Sequence, residues 1–139
     1  MSERAPRLVI DSSVAVKWFL SQDETHVAEA LELLADHLNG TRILAAPAHM
    51  TLEVLNELKH RGLGERELTA AATHLLDARI EFHAVESHVA DAAALAVRYD
   101  LTLYDAAFAA LAVELDAELV TADRRLAVSG ACRARLLGD

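Results

Sequence analysis

The sequence predicts an α/β fold, a parallel sheet of four or five strands with helices on both faces. Three observations carry that prediction. Apolar runs of four or five residues alternate with stretches of 10 to 16 residues whose apolar positions recur at helical spacing. Breaker residues such as Asn39-Gly40, Pro47 and Gly62 fall where one stretch gives way to the next. Strands that alternate with helices also require right-handed crossovers, each of which lays its helix against the sheet.

Leu8 to Asp11 reads as a buried strand, and Ser12-Ser13 opens a helix through Val14, Val16, Trp18, Phe19 and Leu20. The second helix carries Val27, Ala30, Leu31, Leu34 and Leu38 at helical spacing and stops at Asn39-Gly40. Arg42 to Ala46 is strand two. From Ala48 to Arg61 the stripe Leu52, Leu55, Leu58 predicts a helix closed by Gly62, and another helix runs from Gly64 to Arg79. Ile80 to Val85 is strand three. Ser87 caps an alanine-rich helix that reaches Tyr99, and Leu103 to Asp116 is helical too. Glu118 to Thr121 makes strand four, Asp123 to Val128 a short helix, and Arg133 to Leu137 an edge strand.

The chain of 139 residues reads as a single domain over 1–139, with no linker, repeat or low-complexity tract. A chain this size hides roughly two-thirds of its extended surface on folding, so no staple is required. Cys132 is the only cysteine, which excludes an internal disulfide and a cysteine-based zinc site and suits a reducing cytoplasm. The longest apolar run, Ala106 to Val113, has eight residues against the roughly 18 that span a bilayer. Leu8-Val9-Ile10 is likewise too short for a signal core. Membrane insertion and secretion are not expected.

Ligands of parallel α/β sheets bind beyond the carboxyl ends of the strands. Acidic residues occupy those positions here. Asp11 follows strand one and Asp123 follows strand four, and helix capping explains either of them alone. Asp105 lies three residues after Thr102 in a capping-box pattern, yet it shares a helix face with Phe108, Ala109, Ala112 and Leu115, which should turn inward. Glu53 sits near the start of the helix after strand two, with Glu57 as its rival one turn away. Four acids from four segments at one sheet end repel one another, and divalent cations relieve that repulsion. Hard oxygen donors suit Mg²⁺, and two such ions would support phosphodiester hydrolysis. Ser13 and Thr121 stand beside Asp11 and Asp123 with hydroxyls able to orient those carboxylates. None of the seven histidines falls in a ligand pair, and none is assigned to a metal.

The motifs D-S-S-V-A-V-K-W-F at 11–19, P-x5-E-V at 47–54, L-Y-D-A-A-F-A-A-L-A at 103–112 and T-A-D-R-R-L-A at 121–127 resemble the PIN-domain ribonucleases, specifically the VapC-type toxins of toxin–antitoxin pairs. The resemblance spans nearly the whole chain and implies a single PIN-like domain with strand order 3-2-1-4-5. It implies an endoribonuclease that depends on Mg²⁺ or Mn²⁺, one or two ions, with Asp11, Glu53, Asp105 and Asp123 as catalytic residues and metal ligands. It further implies a cytoplasmic homodimer silenced by a cognate antitoxin protein.

A net charge of −9 opposes generic binding to an RNA backbone, so local cations must supply it. Lys17, Arg124 and Arg125 are the candidates, with Tyr104 as the aromatic nearest the acids; ordinary solvated charge explains each cation singly as well. Two other functions compete. A phosphoacceptor receiver domain needs adjacent acids at strand one and a lysine after strand five, and the only lysines are Lys17 and Lys59. A catalytically idle PIN-like binding module would not require the full set of four acids.

Overall fold

A computed structural model describes residues 5–20, 22 and 24–139. Strand β1 (Arg7–Ile10) leads into the short helix α1 (Ser12–Ala15) and a 3-10 turn over Val16–Trp18, then helix α2 (Val27–Leu38) and β2 (Ile43–Pro47). Helices α3 (Met50–His60) and α4 (Glu65–Asp77) connect β2 to β3 (Glu81–His83). Helices α5 (Val89–Tyr99) and α6 (Leu103–Leu115) lead to β4 (Glu118–Thr121), and α7 (Arg124–Ala127) leads to β5 (Ala134–Leu136). All pairings are parallel, in the order β3-β2-β1-β4-β5 that the resemblance implies.

This order fixes where a site can form. From β1 the chain steps outward to β2 and β3, and it then crosses back to β4 and β5 on the other side of β1. Right-handed crossovers in the two directions put α2, α3 and α4 on one face and α5, α6 and α7 on the other. The switch point falls between β1 and β4, where a crevice opens at the carboxyl ends of the strands.

Helix α6 is the central packing element. Ala106 through Ala112 are all buried, because the helix lies across β1, β2 and β4 with α5 against its outer side. A helix that is apolar all round belongs inside, and its alanines permit close approach. Phe108, 1% exposed, fills the space at the centre.

The structure departs from the sequence expectation at several places, among them α2, whose buried face is Ala30 and Leu33 while Leu31 and Leu38 are exposed. The first helix is a single α-turn that tightens into a 3-10 turn. Ser87 ends a 3-10 turn over Val85–Ser87, and His88 occupies the cap position of α5. Strand three is only Glu81–His83. The buried face of α3 is Met50, Val54 and Leu58, while Leu52 is 72% exposed. Apolar spacing of three and four allows either stripe, and the packing of α3 against α1, α4 and the 3-10 turn selects the one with i, i+4 spacing. Gly40 and Gly62 follow α2 and α3 with φ of +83° and +96°, a region that residues with a Cβ rarely enter.

Candidate active site

The parallel register Ile10↔Val120 sets Asp11 beside Thr121, the last residue of β4. Asp11 holds the cap position of α1 but makes no side-chain cap hydrogen bond. Its carboxylate instead accepts from two hydroxyls, Ser13 Oγ to Oδ1 at 2.5 Å and Thr121 Oγ1 to Oδ2 at 2.6 Å. Each hydroxyl is itself an acceptor: Ala122 N–H donates to Ser13 Oγ and Asp123 N–H to Thr121 Oγ1. The β4–α7 turn is thereby locked to the end of β1. Both hydroxyls, Ser13 and Thr121, act on Asp11.

The other three acids arrive from other elements. Glu53 stands in the first turn of α3, where Ser12 Oγ donates to its Oε1 at 2.7 Å and His49 Nε2 lies 3.6 Å from the same oxygen. Its rival Glu57 accepts from Arg61 Nε at 3.0 Å. Asp105 stands in the first turn of α6, where its N–H donates to Thr102 Oγ1 at 3.0 Å. Asp123 caps α7 by accepting from Arg125 N–H at 3.0 Å. Asp11, Glu53, Asp105 and Asp123 line one open cavity of about 470 Å³ together with Ser12, Ser13, Asn56, Phe108 and Ala122.

Burial drives the Asp11 carboxyl up to about 6, against the two hydroxyl hydrogen bonds and with a further push from the charge of Asp105. Burial also raises Asp105, and the charge of Asp123 adds to it. The acids thus disfavour one another's ionised forms, as carboxylates sharing a site do. Six carboxylates line the cavity, against two cations, Lys17 and Arg61.

The all-oxygen donor set fits a hard divalent ion. Among the described residues, however, no three His, Cys, Asp or Glu side chains stand close enough to hold one ion. A closed cage is therefore absent. Mg²⁺ is commonly held by only one or two carboxylates with its remaining positions filled by water, and an open ring of acids satisfies that requirement.

The candidate RNA contacts distribute unevenly. Lys17 lines the cavity, but its side chain is only 7% exposed and paired with Glu24 at 3.1 Å. Arg124 lies outside this lining, in a separate surface concavity with Glu118 and Arg135. Arg125 also lies outside it and donates to the Asp100 carbonyl at 3.0 Å. Tyr104 stacks 5.9 Å from His49 and borders a small apolar hollow with Val85, Val89 and Leu103 rather than the acids. Sequence reasoning did not single out Ser12, Glu24 or Arg61. Ser12 carries a weak signal as the residue after Asp11, whereas nothing local marks Glu24 and Arg61, which meet only through the fold.

The sequence profile of the PIN domain matches residues 8–130. Ribonuclease VapC3 of Pyrobaculum aerophilum is 35% identical over 130 residues, which cover 87% of this chain and 92% of that protein. Among solved structures, the Mycobacterium tuberculosis VapC20, described as a sarcin-ricin loop cleaving toxin, superposes with a TM-score of 0.70 at 19% identity, covering 88% of this chain and 95% of that one. VapBC2 of Rickettsia felis, crystallised on a DNA fragment from its promoter, gives 0.65 at 14% identity, with 94% and 98% covered. No helix among the described residues is long and apolar enough to cross a membrane. On the profile match and the 35% identical relative, the chain belongs to the PIN domain family and to the VapC proteins within it.

Proposed function

We propose that this chain is a Mg²⁺- or Mn²⁺-dependent endoribonuclease that acts as the toxin of a toxin–antitoxin pair. The observation that carries the proposal is the meeting of Asp11, Glu53, Asp105 and Asp123, from four separate elements, in one cavity at the switch point of the sheet. The VapC relative is a named ribonuclease, which agrees with that chemistry. These four carboxylates would hold the ion. When bound, it would supply charge neutralisation at the phosphodiester and an acidified attacking water. The chain's own residues fix the geometry. Ser13 and Thr121 hold both oxygens of Asp11, Ser12 holds Glu53, and the Asp11 carboxyl, ionising at about 6, is charged at neutral pH.

The partner proposed with that activity is a cognate antitoxin that silences the enzyme, and the likeness in fold to VapBC2 of Rickettsia felis agrees with it. The exposed apolar side chains Val89, Leu103 and Tyr104 around the hollow beside His49 support a homodimer. A sedimentation mass equal to one chain of 15.1 kDa rejects the dimer. Cytoplasmic residence follows from the function proposed.

The decisive experiment incubates purified protein with total cellular RNA, with and without EDTA, beside an Asp105→Asn control. Mg²⁺-dependent cleavage at discrete sites, lost in the control, is expected. Cleavage that survives EDTA, or full activity in Asp105→Asn, refutes the proposal.

A further inference from the structure

The cavity sets a problem that its four central acids do not solve. RNA is a polyanion, and its affinity for protein comes largely from Lys and Arg contacts to phosphates. Only Lys17 and Arg61 supply positive charge to the described lining, and both already hold a carboxylate. Glu24 Oε1 accepts from Lys17 Nζ at 3.1 Å, and Glu24 Oε2 accepts from Arg61 Nη2 at 3.0 Å.

We propose that Lys17 and Arg61 form a subsite for a phosphate flanking the scissile one, and that the Glu24 carboxylate is a plug which RNA displaces from it. This inference rests on the ribonuclease reading above. One carboxylate bridging an ammonium and a guanidinium presents two anionic oxygens to two cations, as a phosphodiester's two non-bridging oxygens would. Burial works against the ionised form of Glu24, yet the bonds from Arg61 and Lys17 hold it below the usual carboxylate range. The plug and its socket also belong to different kinds of structure. Lys17 sits in the 3-10 turn after α1 and Arg61 at the end of α3, whereas Glu24 sits in the irregular connection before α2. Glu24 and the two cations are thus carried by separate segments of the chain.

Distance assigns the subsite to a flanking phosphate. Arg61 follows Glu53 by eight residues on one helix, about 12 Å at the usual rise. That separation favours a neighbouring phosphate over the one on which the acids act. Arg61 also donates from Nε to Glu57, which aims its guanidinium while Nη2 remains exchangeable between Glu24 and a ligand.

The test measures binding of a short, mixed-sequence 2′-O-methyl oligoribonucleotide, which resists cleavage, across a salt series at fixed Mg²⁺. Glu24→Gln removes the competing charge but keeps the side chain's shape, and should tighten binding about tenfold at low salt, in line with one charge-assisted bond no longer to be broken. Arg61→Gln, a partly exposed site whose loss leaves the core intact, should weaken binding. It should also flatten the slope of log K against log salt by about 0.7, the value for one single-strand phosphate contact. The double variant should lose most of the gain seen with Glu24→Gln. If Glu24 only braces the two cations, Glu24→Gln weakens binding or leaves it unchanged, and the plug is refuted. An unchanged salt slope in Arg61→Gln refutes the subsite even if Glu24→Gln fails to fold. A wild-type protein that cleaves RNA while showing either result overturns this inference and spares the ribonuclease reading. A wild-type protein that neither binds the oligonucleotide nor cleaves RNA overturns both.

Discussion

Replacing Asp11 by asparagine should make the metal-free protein more stable, and the size of the gain follows from the site. An ordinary aspartate ionises near 3.8 and this one at about 6, chiefly because it is buried. The folded chain therefore holds the Asp11 proton more tightly than the unfolded chain does. The sign follows from that difference. Stability falls as pH rises from about 4 through 6 and then levels off, leaving a penalty of about 3 kcal/mol at pH 7.5. Asparagine carries no such penalty. It forfeits one acceptor, since one of the two hydroxyls must face an NH₂ group, at about 1 kcal/mol. Urea unfolding in EDTA should therefore show Asp11→Asn about 2 kcal/mol more stable than wild type at pH 7.5. Near pH 4, where the penalty is only about 0.5 kcal/mol, the variant should lose its advantage. Added Mg²⁺ should stabilise wild type, by about 2.7 kcal/mol at a hundred times its Kd, and leave the variant nearly unmoved. A variant less stable than wild type at pH 7.5 in EDTA, or a difference that does not depend on pH, would refute the account of Asp11 as a strained, buried anion.

Thr121→Val keeps the volume but strips the hydroxyl that donates to Asp11 and accepts from Asp123 N–H. It should cost about 2 kcal/mol in urea unfolding and lower the rate of RNA cleavage; wild-type values for both would show that the hydroxyl is idle. His88 is buried with no hydrogen bond at either ring nitrogen, Glu114 Oε2 standing 3.7 Å from Nδ1, and burial lowers its pKa. His88→Leu should raise stability by about 1–3 kcal/mol, and the gain should grow as pH falls below 6.5, because the folded wild type resists the proton that the unfolded chain accepts. Thermal melts at pH 8 and pH 5.5 check this, and a gain that shrinks on acidification contradicts it. Phe108→Ala should cost about 3–5 kcal/mol by chemical unfolding, and a loss under 1 kcal/mol would show that the floor of the cavity collapses to fill the space.

What could be read in the sequence follows what is local. Runs such as Leu8-Val9-Ile10 and the α2 pattern specify their elements by periodicity, and alternation alone implies a parallel sheet with helices on both faces. Glu53 was hard to separate from Glu57, because two glutamates four apart on a half-exposed face look alike. The fold separates them by handing Ser12 to one and Arg61 to the other. Arg124 and Arg125 cluster next to Asp123 in the sequence, yet neither lines the cavity: Arg124 borders a separate concavity, and Arg125 acts on Asp105 only through its charge. Lys17 is a candidate RNA contact in the sequence, and the fold pairs it with Glu24. The Lys17–Glu24–Arg61 link joins three segments, with Glu24 seven residues from Lys17 and 37 from Arg61, and no spacing rule predicts a meeting of that kind.

The bland and the functional readings of the four acids converge once their places in the fold are compared. Asp11 and Asp123 hold the cap positions of α1 and α7, and Glu53 and Asp105 stand in the first turns of α3 and α6. Each acid therefore sits at the amino end of a helix, where partial positive charge from unpaired N–H groups favours an anion by about 0.3–1 kcal/mol. The short α7 contributes the Arg125 N–H to Asp123, while α3 and α6, of 11 and 13 residues, contribute dipoles. Such fields let four carboxylates coexist without a lysine or arginine salted directly onto them. Direct salt bridges would stabilise the metal-free site better, but they would occupy the oxygens that an ion needs. Helix ends relieve part of the repulsion and leave the oxygens available, which is what the proposed ion would require, while burial and like charge still raise Asp11 and Asp105.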